Sequence, residues 1–158
     1  MTAPTHLSSR SVKANGAHYT PPGLASFLAD VTSRHAKWVS GSIAILDPAC
    51  GDGSLLSAIA EAAPAGARRR LYLVGYETDT TAAANAVTRL QKLAVADVNI
   101  RIGDFLEMVS TTRPLEGPSL FCPTPSATEQ YDVVISNPPY VRTQVLGAAK
   151  AQQLAGRF

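Results

Sequence analysis

The chain has 158 residues, of which 46% are hydrophobic and 16% charged, and its formal net charge is +2. This length suits one compact domain with a single core, and the composition is not that of a disordered protein. No apolar run approaches the ~18 residues that span a bilayer, and residues 1–11 contain no signal-peptide core. Cys50 and Cys122 have neither ligand nor disulfide spacing, and the small net charge gives no argument for a nucleic-acid partner. We therefore expect a soluble, cytoplasmic protein.

Residues 1–18 are polar and carry no periodic apolar pattern, so we expect a flexible lead-in to a domain that spans 19–158. Thr20 is followed by two prolines, which is typical of a helix start with a capping hydroxyl. Apolar residues at helical spacing then predict an amphipathic helix over 22–37.

Strand and helix patterns alternate through the rest of the chain. Short apolar runs predict buried strands at 43–46, 71–74 and 131–136, and a further strand is expected at 98–101. Unbroken helical patterns predict helices at 55–63, 80–94 and 144–155. Gly75 is expected to end the second strand, and the proline-rich stretch 110–128 is expected to be a loop or an insertion. This alternation predicts an α/β fold, with a parallel sheet covered by helices on both faces.

A polar residue follows each predicted strand. In a parallel sheet of this kind, ligands bind at the carboxyl ends of the strands, near the point where the strand order reverses. The residues in question are Asp47, Glu77, Asp104 and Asn137. We therefore expect them to line one site.

The segment DPACGDGSLL, residues 47–56, follows the first strand. Gly51 and Gly53 allow a sharp turn and a close approach of the backbone to a ligand, although such a turn can also be purely structural. Asp47 would repel a pyrophosphate but would attract an amino group that carries a positive charge. The pattern therefore favours a nucleoside that bears an ammonium group over a dinucleotide.

The next two strand ends carry further acids. Glu77 is placed to accept hydrogen bonds from ribose hydroxyls, although a solvated turn carboxylate is the alternative. Asp79 is more typical of a helix N-cap. Asp104 could accept from an adenine amino group while the Phe105 ring packs on the base, or Phe105 could be an ordinary core residue.

The segment NPPY, residues 137–140, follows the fourth strand. An amine attached to an aromatic base is a poor nucleophile because its lone pair is delocalised. The Asn137 side-chain oxygen and the Pro138 carbonyl could accept from its hydrogens and favour the reactive, pyramidal form. Pro139 fixes this backbone, and Tyr140 offers a ring on which a planar base can stack.

These segments together resemble the S-adenosylmethionine-dependent amino-methyltransferases, and in particular the gamma-class N6-adenine DNA methyltransferases of restriction-modification and phage-defence systems. The resemblance covers about residues 16–147. It includes HYTPPGLASFLAD, DPACGDGSLL, VGYETD, IRIGDFLE and DVVISNPPYV. It implies a Rossmann-like class I methyltransferase sheet, S-adenosylmethionine as cofactor, no metal, and double-stranded DNA as the substrate, with the target adenine flipped from the duplex.

The resemblance also assigns residues to roles. The implied cofactor-binding residues are Tyr19, Thr20, Pro21, Asp47, Ala49, Gly51, Gly53, Glu77, Asp104 and Phe105. The implied catalytic residues, which would hold the target adenine, are Asn137, Pro138, Pro139 and Tyr140.

The chain departs from the family pattern in its extent. The family continues with further strands and a DNA-recognition region, so the resemblance implies a truncated or split N-terminal catalytic part whose fourth strand has an exposed edge. DNA methylation would then need a C-terminal recognition region or a second subunit.

Other functions remain open at this point. The same scaffold could methylate a protein glutamine amide or a guanine amine in ribosomal RNA, and cytosine N4 would need similar hydrogen bonds. A cofactor-binding or subunit-docking fragment without catalysis is a further alternative. Tyr19, Thr20 and Pro21 favour DNA over the protein and RNA substrates.

Overall fold

The computed structural model describes residues 20–38, 41–111 and 130–138. Five helices and four strands lie in these ranges. In chain order they are α1 (Pro22–His35), β1 (Ile43–Asp47), α2 (Ser54–Ala62), α3 (Ala65–Arg68), β2 (Leu71–Glu77), α4 (Thr80–Leu90), β3 (Asp97–Ile102), α5 (Phe105–Thr111) and β4 (Val133–Val134). Two compact units divide the chain, and nearly all of the described residues lie in the one that spans Tyr19–Asn137.

The four strands form one sheet in the order β3-β2-β1-β4, and every neighbouring pair is parallel. The predicted parallel α/β sheet is therefore confirmed. The chain moves outward from β1 to β2 and β3 and then returns to the other side of β1 for β4. The strand order thus reverses between β1 and β4, which is where sheets of this type bind ligands.

The core is formed by the sheet together with helices α2 and α4. Its largest fully buried apolar side chains are Ile43, Ile45, Leu55, Leu56, Ile59, Leu71, Leu73 and Leu90. The strand runs of β1 and β2 are apolar because helices cover both faces of a parallel sheet.

Helix α1 packs on α2 through small side chains. Ala25 and Ala29 are buried, whereas Leu24, Phe27 and Val31 are exposed, with 62% of the Phe27 surface accessible. The helix is amphipathic as predicted, but its closely packed side is the alanine side. Small residues allow the two helix backbones to approach each other, so burial here does not follow residue size.

The boundaries of the first three strands and of the crossover helices agree with the predictions to within a few residues. The largest difference is in α4, which ends at Leu90 rather than 94. The hydrogen-bond spacing shortens there from four residues to three, since the amides of Lys92 and Leu93 donate to the carbonyls of Arg89 and Leu90. Asp79 is the N-cap of this helix, and its carboxylate accepts from the Ala82 amide at 2.8 Å.

Three expectations require correction. Gly75 does not end the second strand, since β2 continues to Glu77 and pairs with β3 up to Ile102. The fourth strand was expected over 131–136 but consists of Val133–Val134 only. Asp132 and Ile135, on either side of it, also donate backbone hydrogen bonds to β1. Helix α5 was not predicted, and it includes residues 110 and 111 of the expected loop.

Other expectations lie outside the described residues. These are the lead-in over 1–18, most of the loop over 110–128 and the helix over 144–155. In the part of the chain that the structure describes, no helix is long and apolar enough to cross a membrane.

Gly75 lies inside β2 because its neighbours leave no room for a side chain. A Cβ atom built at this position would lie 2.7 Å from Cys50 Sγ and 2.8 Å from Ile100 Cδ1. Cys50 belongs to the turn that follows β1, and Ile100 is the β3 residue paired with Gly75. The missing side chain therefore lets this turn pack closely on the middle of the sheet.

We predict that Gly75→Ala lowers the free energy of unfolding by about 1–3 kcal/mol, because the new methyl group overpacks a buried site. Gly66→Ala is the matched control, since no atom lies within 4 Å of a Cβ built there. Urea denaturation of both variants measures the difference. Adding Ile100→Val to Gly75→Ala should recover part of the loss, and equal stabilities of the two glycine variants would contradict the packing argument.

Candidate active site

The predicted site residues lie at the carboxyl ends of neighbouring strands. Asp47 is the last residue of β1 and Glu77 the last of β2, while Asn137 follows β4 on the other side of β1. Asp47 and Asn137 therefore flank the point where the strand order reverses. Asp104 follows β3, one strand further from this point.

A glycine turn connects β1 to α2. Gly51 and Gly53 have φ angles of 55° and 77°, in the left-handed region that glycine adopts without strain. The Gly53 amide donates to the Cys50 carbonyl at 2.9 Å, and the Cys50 amide donates to the Tyr76 carbonyl of β2 at 2.9 Å. Gly53 also lies against α4, because a Cβ atom on it would be 3.1 Å from Ala86. The turn is thus fixed to both the sheet and α4.

Asp47 is almost completely buried, with 1% of its surface exposed. Its Oδ1 accepts from the Ala49 amide at 3.1 Å, and no ion pair to Asp47 forms among the residues that the structure describes. Burial raises the pKa of this carboxyl group to about 6, while the Ala49 amide and the neighbouring Ser136 hydroxyl act in the opposite direction. The site therefore contains a buried carboxylate without a compensating cation from the described residues.

The Cys50 thiol next to this turn is not a candidate nucleophile. It is buried, and burial together with the nearby carboxylates raises its pKa to about 12. A thiol in this environment stays neutral and behaves as a small apolar side chain.

Glu77 joins the end of β2 to the glycine turn. Its Oε2 accepts from the Gly51 amide at 2.9 Å, and its Oε1 accepts from the Asp79 amide at 2.8 Å. The Thr78 hydroxyl also donates to Oε1 at 3.3 Å. A carboxylate has about four acceptor positions, so these three contacts still leave capacity for a hydroxyl group of a ligand. The side chain is half-buried and held at a defined place.

Phe105 begins α5, and Asp104 directly precedes it. Asp104 Oδ1 accepts from the Leu106 amide at 2.9 Å, which is a local contact at the helix start. The Phe105 ring is only partly buried and meets the Tyr76 ring edge-on, with 5.0 Å between the centroids. Tyr76 in turn accepts a hydrogen bond from Arg101. Phe105 is therefore a supported ring at the edge of the core rather than a fully buried core residue.

Thr20 and Asn137 are 117 positions apart in the chain and lie together in the structure. The Asn137 Nδ2 atom donates to Thr20 Oγ1 at 3.3 Å. Thr20 does not cap α1 as predicted, because the N-cap is Pro21 and no side chain caps the helix. The hydroxyl is used for the contact with Asn137 instead.

The remaining predicted residues can be located only in part. Pro21 and Pro138 are exposed, and Ala49 contacts Asp47 through its amide. Tyr19, Pro139 and Tyr140 lie outside the described residues.

Two further polar features of the site were not expected from the sequence. Ser136 Oγ is buried close enough to Asp47 to lower the pKa of that carboxyl group, but it makes no well-formed hydrogen bond with the described residues. Asp52, between the two glycines, forms an ion pair with Arg89 of α4 at 2.7 Å. Only the position of Asp52 between two glycines could have drawn attention to it, since α2, α3, β2 and most of α4 separate it from Arg89 in the sequence. Across the described ranges, no group of three or more His, Cys, Asp or Glu side chains could hold a metal ion.

Two solved structures share the fold of this chain. The methyltransferase subunit of a type I restriction-modification system from Streptococcus thermophilus matches 77% of this chain and 23% of its own, with a TM-score of 0.56 and 18% identity. A putative class I S-adenosylmethionine-dependent methyltransferase from Listeria monocytogenes matches 78% of this chain and 32% of its own, with a TM-score of 0.50 and 20% identity. The fold is therefore the Rossmann-like methyltransferase sheet.

Sequence comparison gives the family. The chain belongs to the family described as N-6 DNA Methylase, whose sequence model matches residues 5–155. It is also 41% identical over 151 residues to the Type II methyltransferase M.BanIII of Aneurinibacillus aneurinilyticus. That match covers 92% of this chain but 25% of the relative, so the chain spans about a quarter of the relative's length.

We predict that Asp47→Asn stabilises the protein above pH 7, by up to about 3 kcal/mol, and has little effect at pH 4. The folded protein binds a proton at Asp47 more tightly than the unfolded chain does, because burial raises the pKa from 3.8 to about 6. The ionisable carboxyl group therefore costs no stability below pH 4. Its cost grows as the pH rises from 4 to 6 and is complete above pH 6. Asparagine cannot ionise and avoids this cost.

Urea denaturation at pH 4, 6 and 8 tests this prediction. Asp97→Asn is the control, because Asp97 is an exposed acid at the opposite end of the sheet. An Asp47→Asn variant that gains no stability between pH 4 and pH 8 would show that the buried charge is already compensated.

Proposed function

We propose that residues 19–158 form the S-adenosylmethionine-binding and catalytic part of an enzyme that methylates the N6 amino group of adenine in double-stranded DNA. The observation that carries this proposal is the convergence of Asp47, Glu77 and Asn137 around the β1/β4 switch point. Membership of the N-6 DNA methylase family supports the reaction class.

The buried Asp47 carboxylate fits the methionine end of this cofactor. S-adenosylmethionine carries an ammonium and a sulfonium group, and either positive charge would offset the unpaired negative charge of Asp47. The turn at Gly51 and Gly53 places the backbone beside Asp47, as a closely packed ligand requires. The same carboxylate would disfavour a ligand that carries a pyrophosphate.

The Glu77 carboxylate fits the ribose. It ends the strand next to Asp47, and its two oxygens are held by backbone amides while keeping free acceptor positions. In this proposal it accepts from the ribose hydroxyl groups, and Asp104 with Phe105 lies on the adenine side.

Asn137 is the proposed contact to the substrate amine. Its Nδ2 is directed to Thr20 Oγ1, which leaves Oδ1 as the acceptor for the hydrogens of the target amine. An acceptor in this position would favour the pyramidal amine, on which the lone pair is available. The bound cofactor supplies the methyl group. In the same proposal Pro138, Pro139 and Tyr140 complete the contact to the base.

Adenine in DNA is favoured over the other acceptors by the comparisons. The family description names N-6 DNA methylation, and the relative from A. aneurinilyticus is a Type II methyltransferase. Neither finding favours a protein glutamine or a ribosomal RNA guanine. We also propose that double-stranded DNA is bound with the help of a C-terminal recognition region or a second subunit.

Titration calorimetry with S-adenosylmethionine tests the cofactor site. We predict binding by the unchanged chain, and a loss of affinity of about tenfold or more in both Asp47→Asn and Glu77→Gln, because each removes a charged acceptor. Asp97→Asn removes an equal charge from the far end of the sheet and should bind normally.

Product analysis then tests the reaction. A labelled methyl group from the cofactor is followed into duplex DNA, protein and RNA, and nucleoside mass spectrometry distinguishes adenine N6 from cytosine N4. Label at adenine N6 that disappears in Asn137→Ala supports the proposal. Label in another acceptor, or cofactor binding that is insensitive to Asp47 and Glu77, would contradict it. The same assay is repeated after adding the downstream polypeptide of a longer family member. Cofactor binding without methyl transfer in that mixture would indicate that the chain is a cofactor-binding module.

A further inference from the structure

The glycine turn that follows β1 is held from two opposite sides. On the sheet side, Glu77 accepts from the Gly51 amide at 2.9 Å. On the other side lies helix α4, which approaches so closely that a Cβ atom on Gly53 would be 3.1 Å from Ala86 and 3.3 Å from Leu90 Cδ1. Glycine at 53 is therefore required by the position of α4 as well as by the positive φ angle.

Arg89 makes the polar contact between α4 and this turn. Its Nη2 atom donates to Asp52 Oδ2 at 2.7 Å, and its Nε atom donates to the Asp52 backbone carbonyl at 3.0 Å. The other carboxylate oxygen of Asp52 accepts from the Ser54 amide at 3.1 Å and from the Ser54 hydroxyl at 2.6 Å. One guanidinium group thus fixes both the side chain and the backbone of the residue between the two glycines.

Two hydrogen bonds from a rigid guanidinium restrict the turn more than one contact would. A planar guanidinium donates in a fixed geometry, whereas a lysine ammonium on the same helix would act as a single mobile charge. Glycines on both sides of Asp52 make the unrestrained turn flexible, because glycine loses more conformational freedom than other residues when it is ordered. Fixing Asp52 beforehand reduces what a ligand must order on binding.

We propose that Arg89 is a positioning residue for the cofactor, which holds the turn over Gly51–Gly53 in its ligand-binding conformation through Asp52. This role rests on the proposed cofactor site. In it, Arg89 of α4 influences cofactor binding through Asp52 and does not itself touch the ligand. A surface cleft of about 460 Å³ borders the contact on the outer side, and it is lined by Asp52, Asn85, Thr88, Arg89 and Lys92.

Arg89→Met tests the role, because methionine keeps much of the apolar stem and removes both hydrogen bonds. We expect amide hydrogen exchange over 51–54 to become faster in the ligand-free chain, and the Kd for S-adenosylmethionine to rise about fivefold, the ratio that corresponds to about 1 kcal/mol. Lys92→Met is the matched control, since Lys92 lines the same cleft but its side chain forms no hydrogen bond or ion pair with the turn among the described residues.

Arg89→Lys should recover less than half of the affinity, as expected for a contact that needs two fixed donors. Adding Asp52→Asn to Arg89→Met should cost little more than Arg89→Met alone, because the loss of the guanidinium already removes both hydrogen bonds to Asp52. Exchange rates and Kd values within twofold of those of Lys92→Met would overturn the proposal. Failure of the unchanged chain to bind the cofactor would refute the proposed function, and the exchange rates would still decide whether Arg89 holds the turn.

Discussion

The candidate site is organised around one unfavourable feature, which is the negative charge of Asp47 buried at the end of β1. Removing a carboxylate from water costs several kcal/mol unless a partner compensates for it. Within the described part of the chain the carboxyl group has a backbone amide and a hydroxyl nearby but no cation, and its pKa rises to about 6 as a result. A group held in this way destabilises the empty protein at neutral pH. It is explained if a cationic ligand supplies the missing charge.

The surrounding structure keeps this carboxylate in place at the carboxyl edge of the sheet. β1 lies inside the sheet between β2 and β4, so its last residue is covered from both sides. The turn over Gly51–Gly53 then packs on the sheet through Cys50, which is possible only because Gly75 has no side chain. Glu77 and Asn137 are fixed relative to Asp47 by the parallel register of β2 and β4 with β1. The positions of these residues therefore follow from strand order and close packing, although several of them lie in the turns that follow the strands.

Much of the fold could be predicted from local patterns. Apolar runs gave β1 and β3 to within a residue or two, the Asp79 cap was recognised, and the alternation of strands and helices gave the parallel sheet. Gly75 was misjudged because glycine in a strand is required here by Cys50 and Ile100, two side chains that are distant in the sequence. The side of α1 that is buried could not be predicted either. A helical period of apolar residues shows that a helix has an apolar side, but it does not show that the alanines rather than the larger residues pack against α2.

The candidate site was also only partly predictable. Residues at strand ends follow from topology, so Asp47, Glu77 and Asn137 could be expected at one edge of the sheet. Contacts between distant polar groups have no local signature, and for this reason the contacts of Thr20 with Asn137 and of Arg89 with Asp52 emerged only from the structure.

The most direct test is the number of protons released when S-adenosylmethionine binds at pH 6, measured by calorimetry in buffers of different ionisation enthalpy. If the cationic ligand compensates for Asp47, the carboxyl pKa falls on binding and about half a proton is released at pH 6. The release should be small at pH 7, where Asp47 is already ionised, and absent at pH 6 in Asp47→Asn. Binding by the unchanged chain at pH 6 without proton release would contradict the account, because the ligand would then leave the buried charge uncompensated.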